Sequence, residues 1–219
     1  MPAFQHAVDH GYRYVETDVQ LTNDGVLVAF HDNDLKRTCG RDARISELPW
    51  SEVRTALVDG EAPIPLLEDM LGEWPELRVN IDCKSDVAVD ALVATLQRCD
   101  ALTRVSVGAF SDRRVQRLRA LLGANVCSAL GPIETARLRF GLPARAAGNV
   151  AQVPVRQGPL TVVTRGFVER AHRLGIHVHV WTIDDSNEMH RLLDMGVDGI
   201  MTDRPAVLRE VFEQRGIWN

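Results

Sequence analysis

Short runs rich in β-branched residues recur along this chain, and from the second onward each is followed by a stretch whose apolar residues fall at helical spacing. The runs are RYVETDVQ, LRVNIDCK, RVSVGAF, NVCSAL, NVAQVPV, IHVHVWTID and DGIMTD; the helical stretches begin with DVAVDALVATLQRC after the second run and end with AVLREVFEQRG after the last. This rhythm predicts parallel strands joined by helical crossovers, an α/β architecture. Gly123, Gly175, Gly196 and Gly216 stand where helices should stop, and Ser111 and Asp185 where they should be capped. No linker or low-complexity stretch interrupts the series, so residues 1–219 read as a single domain. Seven strands are one short of a TIM (β/α)8 barrel. The opening MPAFQHAVDHG has Phe4, Ala7 and Val8 at helical spacing and ends in Gly11, like a helix whose preceding strand is absent. The expectation is a barrel incomplete at its N-terminus and lacking its first strand.

Composition excludes several other classes. No apolar run reaches the roughly 18 residues of a membrane helix, and the opening residues lack the basic and apolar regions of a secretory signal, so the chain reads as cytoplasmic with no stable membrane insertion. The formal net charge is −5, which argues against a nucleic-acid partner. Cys39, Cys83, Cys99 and Cys127 are widely spaced and read as reduced packing residues. The only lysines are Lys36 and Lys84, and Lys84 falls inside an apolar strand.

Two stretches carry chemistry. In VETDVQLTNDGVLVAFHD, Glu16 and Asp18 share one strand face, and TNDG predicts a hairpin with Asn23 and Asp24 as its loop. That register sets Asp18 opposite Ala29 and Glu16 opposite His31. In VNIDCKS, Asp82 and Lys84 repeat the alternation on the next parallel strand. Charges directed into a barrel are costly unless paired or bound to a metal. Three carboxylates from adjacent strands make an all-oxygen site suited to Mg2+ or Ca2+, with Lys84 as a fixed positive charge for an anion. A buried Lys84–Asp18 ion pair without a ligand is the competing reading. Phe110 reads as a pocket wall or a core aromatic, and Trp181 as a cover for a glycerol or a cation, or as packing.

At these residues the chain resembles the glycerophosphodiester phosphodiesterase family, a TIM-barrel family. The likeness runs from AFQHAVDHGYRYVETDVQLTNDGVLVAFHDNDLKRT through IPLLEDML, VNIDCKS and AHRLGIHVHVWTIDD to GVDGIMTDRP. It implies metal-dependent hydrolysis of a small glycerophosphodiester to sn-glycerol 3-phosphate and an alcohol. Glu16, Asp18 and Asp82 would be metal ligands, Asp82 standing where the family has glutamate. His31 would be the acid or base, Lys84 the phosphate contact and Trp181 a substrate contact. The family's His-Arg-Gly motif, which carries a second acid/base histidine, has no counterpart in these 219 residues, which predicts weak or absent turnover. A lysophospholipase D acting on another phosphodiester, and a noncatalytic barrel binding metal and phosphate, are the alternatives. His177 and His179 read as core or bottom-face residues, and Asp203 as the cap of the last helix.

Overall fold

A computed structural model describes residues 1–143 and 147–218. The chain divides into two compact units, Met1–Cys127 and Ser128–Asn219.

In the first unit the strands of the main sheet are β1 (Tyr14–Leu21), β2 (Leu27–Ala29), β3 (Arg78–Cys83) and β4 (Val105–Gly108), with β5 (Cys127–Ser128) at the edge where the unit ends; their order is β2-β1-β3-β4-β5. The longer helices are α1 (Pro2–Asp9), α2 (Leu67–Glu73), α3 (Ala88–Arg98) and α4 (Asp112–Leu122), with the one-turn helices Lys36–Cys39 and Trp50–Val53 between β2 and α2. β1 and β3 run parallel with Asp18 beside Asp82 and Val19 beside Cys83, and β3 and β4 run parallel with Asn80 beside Ser106. Paired residues of parallel strands point the same way, so the register sorts the sheet into two faces. Val19, Val79, Ile81, Cys83, Val105 and Val107 form one core with Val89, Leu92 and Leu96 of α3 and Leu118 and Leu122 of α4. Each such side chain contributes about 1.5–3 kcal/mol by leaving water. Glu16, Asp18, Asn80, Asp82 and Ser106 alternate with that set and fall on the opposite face. The apolar face therefore fixes where the polar one must point. Ser111 caps α4 by accepting the Arg114 N–H at 3.3 Å.

The hairpin differs from the sequence expectation by one residue. β2 pairs antiparallel to β1 with Ala29 opposite Val19, and the Phe30 N–H donates to Asp18 O, so Asp18 faces Phe30 rather than Ala29. Glu16 and His31 are accordingly not an opposed pair. The loop has three residues, Asn23, Asp24 and Gly25, because Gly25 adopts φ +85° while Thr22 closes the turn by accepting the Gly25 and Val26 N–H groups. A left-handed glycine admits the extra residue at little cost. Asp24 then accepts the Trp50 N–H at 2.9 Å, which ties the turn to the segment beyond.

The second unit holds β6 (Val150–Pro154), β7 (His177–Trp181) and β8 (Gly199–Ile200), parallel and ordered β8-β7-β6, with α5 (Pro132–Phe140), α6 (Arg165–Arg173), α7 (Ser186–Met195) and α8 (Pro205–Gln214). Thr164 caps α6 and Asp185 caps α7. Asp203 does not cap α8: the cap position is Arg204, and no side chain serves it. The reason lies in local competition. Asp184 Oδ1 takes the Asp203 N–H at 2.9 Å and the Thr202 hydroxyl at 2.8 Å, Thr202 Oγ1 takes the Arg204 N–H at 2.9 Å, and Pro205 brings no N–H to satisfy. Among the described residues no helix is long and apolar enough to cross a membrane. The four cysteines are free thiols, and burial pushes the Cys83 thiol up to about 11.

Candidate active site

The parallel register of β1 and β3 sets Asp18 and Asp82 side by side, and Lys84 follows two residues later at the end of β3. Lys84 Nζ lies 2.6 Å from Asp18 Oδ1 and 3.0 Å from Asp82 Oδ2. It therefore joins both acids, not Asp18 alone. Burial opposes the ammonium, but the two carboxylates outweigh it and hold the Lys84 pKa above its ordinary value. Burial pushes the Asp18 carboxyl upward, against the pull of Lys84. Asp82 Oδ2 is buried and is met by the Lys84 ammonium as an ion pair, whereas Ser106 Oγ, on the same face, is buried without a hydrogen-bond partner. Unmet polar atoms in a buried face are costly and mark a place built to meet something polar.

Glu16 is on the same face but one pleat earlier, about 7 Å back along the strand, beside Asn80, and it is exposed. Among the described residues no three His, Cys, Asp or Glu side chains form a group able to hold a metal ion as they stand. The donors nonetheless suit a hard cation. Glu16, Asp18 and Asp82 bring three carboxylates against the single Lys84, every donor is an oxygen, and the buried Ser106 hydroxyl beside them has no partner.

His31 reaches the site from the turn after β2. Gln20, buried on the polar face of β1, donates from Nε2 to His31 O at 3.1 Å and fixes the backbone there. The ring is exposed, and its Nδ1 lies 2.7 Å from Asp32 Oδ1. Arg37 holds Asp32 in turn, with Nε donating to Oδ2 at 2.7 Å and Nη2 to Oδ1 at 3.0 Å. These bonds, with the His31 contact, hold the Asp32 carboxyl below the usual carboxylate range. An ionised carboxylate only accepts, so this contact favours the tautomer with the proton on His31 Nδ1. Phe110, two-thirds exposed, presents its ring 5.7 Å from Lys84 Nζ. It is an aromatic wall against the cation rather than a core residue.

The first unit thus gathers Asp18, Asp82, Lys84 and Phe110, sets Glu16 at the margin, and anchors His31 from the adjoining hairpin. Gln20, Asp32 and Arg37 were missed by sequence reasoning. Gln20 had a signal, since it continues the Glu16–Asp18 alternation; Arg37 had none, because its approach to Asp32 depends on the turn between them. Trp181 lies at the end of β7 in the second unit, partly buried. His177 lies on that strand 3.5 Å from Asp198, and His179 is packed against Gly199, its pKa lowered by burial.

Known proteins resemble this chain in sequence and in fold. Residues 1–207 match the model of the glycerophosphoryl diester phosphodiesterase family. A Mycobacterium tuberculosis protein named "Probable glycerophosphodiester phosphodiesterase 2" is 42% identical over all of this chain and 86% of its own length. The crystal structure of a glycerophosphodiester phosphodiesterase from Parabacteroides distasonis superimposes with a TM-score of 0.79 at 23% identity, covering 97% of this chain and 89% of that one. An Oleispira antarctica phosphodiesterase, solved in complex with the product sn-glycerol-3-phosphate, gives 0.79 at 19% identity over 96% of this chain and 90% of its own. These likenesses establish an α/β fold with a mostly parallel sheet, of the kind those enzymes have. With the family model matching nearly the whole chain and a relative at 42% identity along all of it, the chain belongs to the glycerophosphoryl diester phosphodiesterase family of phosphoric diester hydrolases.

Proposed function

We propose that this chain hydrolyses glycerophosphodiesters to sn-glycerol 3-phosphate and an alcohol at the polar face of β1 and β3. The observation that carries the reading is the part-buried Asp18–Lys84–Asp82 cluster, with the unpartnered Ser106 hydroxyl on its face. Glu16, Asp18 and Asp82 would hold a divalent cation, Mg2+ or Ca2+, which when bound supplies Lewis-acid polarisation of the phosphoryl oxygens. Lys84 binds the phosphate and offsets the charge that develops on its oxygens, and Phe110 walls the site beside it. His31 Nε2 moves the proton, taking it from the attacking hydroxyl or giving it to the departing alkoxide, while Asp32 keeps the ring in the required tautomer. The bound product of the Oleispira antarctica phosphodiesterase supports the substrate class.

One imidazole cannot serve both ends of the reaction at once. Among the described residues His6 lies on α1 and His10 at its C-terminal cap, neither at a strand end. These 219 residues are therefore proposed to turn over slowly, by about 10²- to 10⁴-fold relative to a site with two such groups.

The test is release of glycerol 3-phosphate from glycerophosphocholine by the purified chain with Mg2+ or Ca2+, then with EDTA. Slow release that EDTA abolishes supports the reading. Release at full rate in EDTA removes the cation from it, and no release from any glycerophosphodiester under prolonged incubation overturns the activity.

A further inference from the structure

We propose that Arg37 is a positioning residue for His31, acting through Asp32. The inference rests on the phosphodiesterase reading for its consequence in turnover, but not for its geometry. His31, Asp32 and Arg37 form a relay of three side chains: Arg37 Nε on Asp32 Oδ2 at 2.7 Å, Arg37 Nη2 on Asp32 Oδ1 at 3.0 Å, and Asp32 Oδ1 on His31 Nδ1 at 2.7 Å. The middle member is the shielded one, with its side chain 16% exposed against 68% for His31 and 66% for Arg37.

A carboxylate held by the imidazole alone is free to rotate about its terminal bond and to offer either oxygen. The guanidinium fork removes that freedom because it engages both oxygens in one plane. With Oδ1 fixed, the imidazole has one hydrogen-bonded orientation, and its Nε2 is aimed by default. The same fork keeps Asp32 ionised, so the carboxylate cannot turn donor and reverse the tautomer.

Arg37 is itself held in place. It lies in the short helix Lys36–Cys39, entered by Leu35, which is fully buried, and by Asp34, whose Oδ1 accepts the Lys36 N–H at 3.0 Å. Leu35 packs with Val28, Ile45, Val53 and Ile64 in a small core beneath this segment, so the backbone that presents the guanidinium is anchored apolar side down. An exposed ion pair placed for stability alone contributes little and needs no such support.

A lysine at position 37 would keep the charge and lose the fork, which separates positioning from simple electrostatics. The variants are Arg37→Gln, Arg37→Lys, Asp32→Asn and the double variant R37Q/D32N. Nitrogen-15 NMR of the His31 ring reports the tautomer without any turnover. The wild type is expected in the Nδ1–H form, and R37Q and R37K as mixtures. In the release assay kcat is expected to fall about 10- to 100-fold with KM little changed, and the double variant to be no slower than Asp32→Asn, since both act on one path. A wild-type ring signature in R37Q overturns the proposal, as does R37K at full kcat with an unchanged tautomer. If no variant and no wild type turns over, the phosphodiesterase reading fails, and the NMR result alone decides for or against the positioning role.

Discussion

Asp198 shows how one side chain can hold an element in place. Its Oδ2 accepts the Val178 N–H at 2.7 Å and the His172 ring at 2.8 Å, and its own N–H donates to Val178 O. Burial opposes its charge, but the Val178 N–H and His172 outweigh it and hold the carboxyl below its ordinary range. A depressed carboxyl stabilises the fold above the unfolded value of about 3.9, and that contribution is lost as pH falls through the lower folded value. Asp198→Asn is therefore expected to cost about 1–3 kcal/mol at pH 7, with the gap to wild type closing below about pH 3.9, as urea melts at pH 7 and pH 3 would show. At this scale the sequence was partly legible. The alternation of Glu16 and Asp18, and of Asp82 and Lys84, was readable because strand parity is a local property. That Lys84 would bridge two acids was not, because side-chain reach across strands depends on register.

Among elements, the alternating strands and helices of the parallel series were legible, whereas the short helices Lys36–Cys39 and Trp50–Val53, the helix α2 and the small hairpins at 57–63 and 156–161 were not, since they are too short to set up a period. The β1–β2 hairpin slipped by one residue because a glycine at positive φ changes the loop count without changing the pattern of its flanks. Asp203 lost its capping role to a contest among Asp184, Thr202 and Pro205 that only the folded loop reveals. Between β7 and β8, the His179 ring lies so close to Gly199 that a Cβ there would sit 2.7 Å from its Cδ2. Gly199→Ala is expected to destabilise by about 1–3 kcal/mol through overpacking, and to cost much less in a His179→Ala background. A thermal-melt double-mutant cycle checks this; equal costs in both backgrounds would mean that the ring does not set the limit.

For the whole chain, family membership follows from end-to-end likeness, while the chemistry proposed for it depends on a few side chains in the first unit. An apolar face packed on α3 and α4 forces Asp18, Asp82 and Lys84 to the opposite face, and Gln20 of the same face of β1 holds the His31 backbone at the end of the hairpin. The most direct test compares the wild-type chain with an Asp18→Asn/Asp82→Asn variant for release of glycerol 3-phosphate from glycerophosphocholine in Mg2+ or Ca2+, with enzyme in excess and long incubation. The expected result is slow, EDTA-sensitive release by the wild type and at least about a 100-fold loss in the double variant. Equal release by the two proteins would contradict the assignment of the reaction to this face.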